Sequence, residues 1–200
     1  MGDIVYSYGN SAYLNITNKC CCSCVFCVRG QKDAIGSASS LWHEKEPTLN
    51  QIFSAIDEFD FTNFTEVVFC GYGEPTCALD NLIAICEYIR ERYQMKIRLN
   101  TNGLSDLINK KPTAKILGDY LDEVSISLNA PTKQKYLEVT RPSFGEQSFD
   151  AMLAFAKECK EYVKSVKMSI VDTIPKDDIE KSKALADSLG IPLRIRHYTE

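Results

Sequence analysis

Short runs in which apolar residues dominate or alternate with polar ones recur along the chain, and amphipathic stretches separate them. Such short runs are typical of strands, and an apolar residue at every third or fourth position is typical of a helix packed on one face. Strands are predicted at residues 12–17, 67–70, 96–102, 123–129, 166–173 and 193–199, and helices at 49–59, 82–93, 114–121, 149–163 and 179–189. This alternation predicts right-handed βα units on a parallel sheet.

Most of the predicted strands have one polar face. In residues 123–129, for example, apolar side chains alternate with Ser125, Ser127 and Asn129. Strands that helices cover on both faces read as continuous apolar runs, and here only residues 67–70 do so. Helices would therefore cover the apolar face of the sheet, and the polar face would line a lumen that holds a ligand.

The number of units sets the predicted architecture. Six βα units in 200 residues fall short of an eight-unit barrel, which needs roughly 250 residues. We therefore predict an α/β fold, an incomplete (β/α)6 TIM-like barrel of parallel strands that forms one domain over residues 1–200. A doubly wound open sheet is the competing architecture.

Net charge and composition indicate which kinds of partner, cellular location and cysteine chemistry to expect. Lys and Arg number 23 and Asp and Glu 27, which gives a net charge of −4 without a basic stripe and makes a nucleic-acid partner unlikely. Neither a membrane span nor a signal peptide is predicted, so the expected location is cytoplasmic. Nine cysteines are many for such a chain. In a reducing compartment they more often bind metal or do chemistry than form disulfides.

Five of the nine cysteines lie between Cys20 and Cys27, directly after the first predicted strand. Cys20, Cys24 and Cys27 have the spacing C-x3-C-x2-C, and so dense a set of soft sulfur ligands favours iron–sulfur or zinc. Structural zinc and an ordinary [4Fe–4S] cluster both use four protein ligands. Three ligands would leave one iron open to a substrate or cofactor. The alternative is a Cys3His site completed by His43, in a zinc-stapled α/β binding module without catalysis.

The cysteine spacing, with Phe26 before the last cysteine, resembles the signature of the radical S-adenosylmethionine (radical SAM) enzymes. Two further motifs follow in the family's order. The segment G-Y-G-E-P at residues 71–75 is similar to the family's G-G-E-P motif, with Tyr72 in place of one glycine as in some subfamilies. The segment N-T-N-G at residues 100–103 is similar to the T-N-G that ends the family's third strand. The chain as a whole is similar to the small TatD-associated radical SAM proteins.

The resemblance implies which residues form the site. Cys20, Cys24 and Cys27 would bind one [4Fe–4S] cluster, whose open iron binds S-adenosylmethionine, while Cys21 and Cys22 would face away. Phe26, Tyr72, Gly73, Glu74, Asn102, Ser127, Asn129 and Arg141 would contact S-adenosylmethionine.

Three of the remaining roles have alternatives. Arg141 is either a ligand of the S-adenosylmethionine carboxylate or a solvated loop arginine. Cys70 and Cys77 flank the glycine motif, and we expect packing for Cys70 and simple surface exposure for Cys77. A redox or radical-quenching role is the alternative for both.

The activity that the resemblance implies is reductive cleavage of S-adenosylmethionine. One electron from a flavodoxin or ferredoxin would pass through the cluster to the sulfonium and give methionine and a 5′-deoxyadenosyl radical, which abstracts hydrogen from a substrate. The substrate is open: a small anionic molecule, a partner protein that receives a glycyl radical, or a peptide or RNA. No catalytic side chain and no subclass (oxidoreductase, activase or lyase) is assigned.

The polar faces of the predicted strands include four cationic residues, Arg98, Lys167, Arg194 and Arg196. On the strands that follow the second one, no carboxylate is expected on the same face. Buried unpaired charges are costly, so an anion should lie opposite them. We hypothesise that Arg98 and Arg196 bind a carboxylate or phosphate of the substrate, because the planar guanidinium matches both. The alternative is pairing with loop carboxylates or with Glu66 at the barrel floor.

Overall fold

Seven strands form one sheet in the computed structural model, which describes residues 2–198, and their order in the sheet is their order along the chain. The first pair is antiparallel, and every later neighbour is parallel. The strands are β1 (Val5–Tyr8), β2 (Ser11–Leu14), β3 (Glu66–Phe69), β4 (Lys96–Thr101), β5 (Glu123–Ser127), β6 (Ser165–Val171) and β7 (Leu193–Arg196). Within residues 2–198, β1 and β7 do not pair with each other, so the sheet is open. The six predicted parallel strands are confirmed as β2 to β7; the end of the last predicted strand, Thr199, lies outside the described residues.

The antiparallel strand β1 was not predicted, so the expectation of a purely parallel sheet is wrong at this edge. β1 and β2 form a hairpin in which Tyr8 and Ser11 are paired across a two-residue turn. Gly9 has φ +58° at the first position of this turn, where a type II′ hairpin favours glycine. The signal was the Gly-Asn pair at residues 9 and 10 between two Tyr-containing strands.

Seven α-helices connect the strands of the described chain: α1 (Leu49–Glu58), α2 (Leu79–Arg92), α3 (Ser105–Asn109), α4 (Ala114–Gly118), α5 (Lys133–Thr140), α6 (Gln147–Tyr162) and α7 (Lys176–Ser188). All five predicted helices are confirmed, and the short helices α3 and α5 are additional. None of the described helices has the length and apolar character needed to cross a membrane.

The apolar faces of the strands pack against the helices, as predicted. Val124, Ile126, Met168 and Ile170 of β5 and β6 are completely buried in the main core. The same face of β7 is less covered, since Ile195 is 44% exposed. The strand parity read from the alternation is therefore correct, and the opposite face of the sheet is the polar one.

A second, smaller apolar cluster lies apart from the main core. It consists of Tyr6, Leu41 and Tyr72, with Tyr13 and Val28 among the residues packed against it. Tyr6 and Tyr13 are register partners of β1 and β2, so their side chains share one face of the hairpin. The segment after the cysteines therefore folds over the polar face of the hairpin and occupies this side of the lumen.

Candidate functional site

Three segments that follow consecutive strands meet at the carboxyl edge of the parallel sheet. They are the cysteine loop (residues 18–31) after β2, the glycine turn (residues 71–75) after β3, and residues 102–103 after β4. The Glu74 N–H donates to the Lys19 carbonyl at 2.8 Å, and Asn102 Nδ2 lies 3.3 Å from Cys21 Sγ. Active sites of barrel-like sheets form at this edge, because loops from several strands converge there.

Glu74 joins the glycine turn to the end of β4. Its carboxylate is 4% exposed and accepts four hydrogen bonds, from the Thr76 N–H (3.2 Å), Thr76 Oγ1 (2.9 Å), Thr101 Oγ1 (2.8 Å) and the Asn102 N–H (2.7 Å). Burial raises the pKa of this carboxyl, and the four donors oppose that rise. The carboxylate is thus saturated by protein donors, and its structural effect is to hold the turn against β4.

The two glycines of the turn are required by close approach. A Cβ added at Gly71 would lie 2.1 Å from Asn15 Oδ1, and one at Gly73 would lie 2.2 Å from the Thr17 carbonyl oxygen. The turn therefore packs directly on the Asn15 side chain and on the backbone at Thr17 and Lys19, which leads into the cysteine loop. A side chain at residue 73 would therefore collide with the protein itself before it could crowd a ligand.

Replacing Gly73 by alanine should displace the cysteine loop from the glycine turn. Because the collision is with backbone at Thr17 and Lys19, we expect a loss of about 1–3 kcal/mol in the free energy of unfolding, together with reduced iron loading. Denaturant unfolding and iron content measure the two effects. Gly30→Ala is the matched control, because no atom lies within 4 Å of an added Cβ there. Equal behaviour of the two variants would contradict the proposed packing.

The cysteine loop is also tied to the segment after α5. Cys22 and Pro142 form an isolated antiparallel bridge, and the Ser143 N–H donates to the Cys21 carbonyl at 2.8 Å. Arg141 sits beside this bridge in a left-handed conformation at φ 45°, and its side chain is exposed. These contacts place Arg141 next to the cysteine loop, as its predicted role requires, and leave its guanidinium accessible.

The three predicted cluster ligands are half-buried thiols. A hydrogen bond with the Cys22 thiol lowers the pKa of Cys20 and that of Cys24, whereas burial raises the pKa of Cys27. Cys22 was expected to face away; it is instead 5% exposed and hydrogen-bonded among the thiols of Cys20, Cys21 and Cys24. The loop thus carries several sulfur ligands along the sheet edge.

Arg29 is a site residue that the sequence reasoning missed. Its Nη1 lies 3.4 Å from the carbonyl oxygens of Asn18 and Tyr72, which bridges the cysteine loop and the glycine turn. Its positive charge also lowers the pKa of Cys20, Cys24 and Cys27. A cation two residues after the last cysteine of the motif was the available signal, since cations stabilise thiolates.

The zinc alternative does not fit this geometry. His43 is 5% exposed, and its Nε2 lies 2.9 Å from the Asn15 carbonyl oxygen and 3.0 Å from Asn15 Nδ2. Among residues 2–198, no three His, Cys, Asp or Glu side chains form a group that could hold one metal ion. A zinc ion requires all its ligands to converge within bonding distance of one point. An iron–sulfur cluster is larger, and thiolates bind different irons of it, so half-buried thiols spread along one loop suit it.

Two other predicted residues present groups suited to a bound cofactor. Asn129 follows β5 at φ 59°, is 5% exposed, and its Oδ1 has no hydrogen-bond partner in the described chain. Buried polar atoms are rarely left without a partner, so this oxygen suits a donor on a ligand. Phe26 is half-buried and belongs to neither apolar cluster of the described residues, and a cavity of about 300 Å³ opens beside Cys24 and Cys27.

Other predicted contacts are placed differently. The Tyr72 ring packs in the second apolar cluster, and its hydroxyl donates to the Lys32 carbonyl, so only its main chain faces the site. The Asn102 side chain is turned to Cys21 and Cys22 and accepts from the Leu104 N–H at 2.9 Å. Ser127 ends β5 half-buried on the polar face. All of these residues remain at the same sheet edge.

Two lumen cations are already neutralised by carboxylates, and one of these, Glu123, corrects the expectation that the strands after the second supply none. Glu66 makes a bidentate ion pair with Arg98 at 2.9 and 3.1 Å. Glu123, at the start of β5, lies 3.0 Å from Lys167 Nζ. The hypothesis that Arg98 binds a substrate anion is therefore wrong, and the alternative pairing with Glu66 is confirmed.

Comparison with known proteins identifies the family to which the chain belongs. The family model described as the Radical SAM superfamily matches residues 14–187. Among curated proteins, the chain is similar to a "Probable dual-specificity RNA methyltransferase RlmN" of Prochlorococcus marinus (strain MIT 9515), with 29% identity over 150 residues that cover 72% of this chain and 40% of that protein. A second RlmN, from P. marinus subsp. pastoris, is 28% identical over the same share. The chain thus matches about two fifths of the length of these curated relatives.

Solved structures share the fold. Streptococcus suis SuiB bound to the precursor peptide SuiA superposes with a TM-score of 0.70 at 20% identity, over 98% of this chain and 41% of that one. A radical SAM methyltransferase from Sphaerobacter thermophilus gives a TM-score of 0.67 at 14% identity, over 96% and 68%. The structure of anSMEcpe with bound AdoMet gives 0.64 at 18% identity, over 94% and 51%. The open seven-stranded sheet is therefore a partial TIM barrel.

Proposed function

We propose that this chain, which belongs to the radical SAM superfamily, generates a radical from S-adenosylmethionine at its cysteine loop and uses it on a substrate bound in the lumen. It is an enzyme whose cofactors are a [4Fe–4S] cluster and S-adenosylmethionine. When bound, these cofactors supply one-electron cleavage of the sulfonium to methionine and a 5′-deoxyadenosyl radical, and the protein orients the reactants and excludes water.

The position of each site residue indicates its proposed role. Cys20, Cys24 and Cys27 would hold the cluster, and Arg29 would stabilise their thiolates. The Asn129 Oδ1 would accept a hydrogen bond from S-adenosylmethionine, and the accessible Arg141 guanidinium would bind its carboxylate. Phe26, Tyr72, Gly73, Asn102 and Ser127 would border the cofactor, with Tyr72 contributing its main chain only.

One observation carries the proposal: the sulfur-rich loop is clamped to the glycine turn. The Glu74 N–H bonds Lys19, the Glu74 carboxylate bonds the end of β4, and Arg29 bridges both segments. The thiols and the turn that the family resemblance assigns to S-adenosylmethionine are thereby held side by side. A cofactor that binds an iron and the turn at once needs this fixed arrangement.

The electron donor and the substrate belong to the proposal. A flavodoxin or ferredoxin would supply the electron. The substrate would be a small anionic molecule or a partner protein, and the net charge of −4 disfavours RNA, on which the curated RlmN relatives are named to act. A cytoplasmic location agrees with the need for a reducing compartment.

The proposed function predicts cleavage of S-adenosylmethionine without any added substrate. The protein should be purified anaerobically, reconstituted with iron and sulfide, reduced with dithionite, and incubated with S-adenosylmethionine. We expect a reducible brown chromophore and slow release of 5′-deoxyadenosine and methionine in equal amounts, measured by liquid chromatography. Cys24→Ala should reduce both to the level of the no-enzyme control. A folded, iron-loaded protein that releases no 5′-deoxyadenosine, or a protein that takes up only zinc, would contradict the proposal.

A further inference from the structure

Arg98, Lys167, Arg194 and Arg196 lie on the polar face of the sheet, and they fall into two classes. Arg98 and Lys167 have carboxylate partners, Glu66 and Glu123, on neighbouring strands. Arg194 and Arg196 of β7 make no ion pair with any carboxylate in the described chain. Among these four residues, the two without an ion pair in the described chain therefore both lie on β7.

Strand register places these two arginines on the lumen side. Arg194 is the register partner of Ser169 and Arg196 that of Val171, on the same face of β6 as Lys167. Lys167 in turn contacts Glu123 across β5 and β6, which identifies this face as the polar one. Two residues apart on one strand, the two guanidinium groups can reach the same ligand. Both residues are exposed, so a ligand can reach them.

The surroundings of Arg196 connect it to the reaction centre. Its charge acts on Cys70, at the end of β3, and on Cys24 of the cysteine loop. Partial desolvation of the guanidinium lowers the pKa of Arg196, and the like charge of Arg194 lowers this pKa further. Like charges held this close repel each other, and an anion between them would relieve that repulsion.

We propose that Arg194 and Arg196 form an oxyanion subsite, which binds a carboxylate or phosphate group of the substrate and holds it within the lumen. This inference rests on the proposed function, since it assigns the substrate group of the same site. The planar fork of each guanidinium matches both oxyanions through paired hydrogen bonds. Arg141, which adjoins the cysteine loop, is the separate candidate for the carboxylate of S-adenosylmethionine.

Direct anion binding tests the subsite without relying on turnover. Inorganic phosphate and malonate are titrated separately into the reconstituted protein, saturated with S-adenosylmethionine, in an anaerobic calorimeter at constant ionic strength set with NaCl. We expect one anion bound per chain, and at least tenfold weaker binding by Arg194→Gln/Arg196→Gln. Arg196→Lys keeps the charge but loses the fork, so we expect an intermediate loss. The stronger of the two probes identifies the oxyanion.

Arg92→Gln is the matched control, because Arg92 lies on α2 with its guanidinium over the Tyr88 ring and away from the lumen. It should bind both probes as the original protein does. Binding by the double variant that equals the original would overturn the subsite. A second titration is made without S-adenosylmethionine. If the anion binds there but not to the protein saturated with S-adenosylmethionine, the subsite is also overturned, because the arginines would then belong to the cofactor site. Failure of the proposed function shows separately, as absence of 5′-deoxyadenosine.

Discussion

Replacing Cys20, Cys24 or Cys27 singly by alanine should abolish the iron chromophore of the reconstituted protein, while Cys21→Ala should retain it. A cluster with three protein thiolates has no spare ligand, so each loss leaves a second iron without protein coordination. The effect is measured as the visible absorbance of the iron chromophore and as the iron content per chain. We expect a fall from about four irons per chain to almost none, the largest effect of any single change in this loop.

Cys77→Ala is the matched control, because Cys77 is a half-buried thiol near the same sheet edge but outside the motif. Cys22→Ala should also keep the chromophore, although its stability must be measured in parallel because Cys22 is buried in the core. Should Cys21→Ala lose the iron and Cys20→Ala keep it, the assigned ligand register would be wrong. The comparison of these cysteines is informative because Cys22 makes hydrogen bonds with both Cys20 and Cys24.

The order of the strands and the face that each presents could be predicted from the sequence, because both depend on local periodicity. Val124 and Ile126 alternate with serines, and the structure buries the first two against helices. The edge strand β1 was not predicted because it is joined to its partner by a turn rather than by a helix, which lies outside the repeating strand–helix pattern. A hairpin is signalled by the two turn residues, not by periodicity.

The charges of the lumen could not be predicted from periodicity alone. Whether Arg98 meets Glu66 depends on how β3 and β4 are staggered and on how far two long side chains reach. Glu123 lies on the face of Ser125 and could have been counted, but its pairing with Lys167 again requires the register of two strands. Register between parallel strands is set by the connecting helices and the core, which no short segment encodes.

The site shows the same division between local and non-local information. The cysteine spacing and the glycine turn are local, so both were identified. The saturation of Glu74 by Thr101 and Asn102 joins residues 27 and 28 positions apart and appears only in the folded chain. The partnerless Asn129 Oδ1 likewise depends on everything around it.

Replacing Glu74 by alanine should destabilise the protein and release the glycine turn. Four donors lose their acceptor, and the two main-chain N–H groups of Thr76 and Asn102 cannot rotate to find another. A buried donor without a partner costs about 1–3 kcal/mol, so we expect a loss of about 2–4 kcal/mol in the free energy of unfolding. Because burial already raises the pKa of this carboxyl, the loss should be smaller than the sum of four hydrogen bonds. Urea unfolding measures it.

The same variant should bind S-adenosylmethionine at least tenfold more weakly, because the turn would no longer be held against the Asn102 main chain. Glu46→Ala is the matched control: this carboxylate also accepts one main-chain N–H, from Asn18 at 3.0 Å, and one threonine hydroxyl, from Thr17 at 2.6 Å, but it is exposed. Water can replace an exposed acceptor, so its loss should cost less than about 1 kcal/mol. If Glu74→Ala unfolds at the same urea concentration as Glu46→Ala and keeps its affinity for S-adenosylmethionine, the turn is held by its glycine contacts alone. Since those contacts run to Asn15 and Thr17 rather than to β4, that outcome would also detach the end of β4 from the cofactor site.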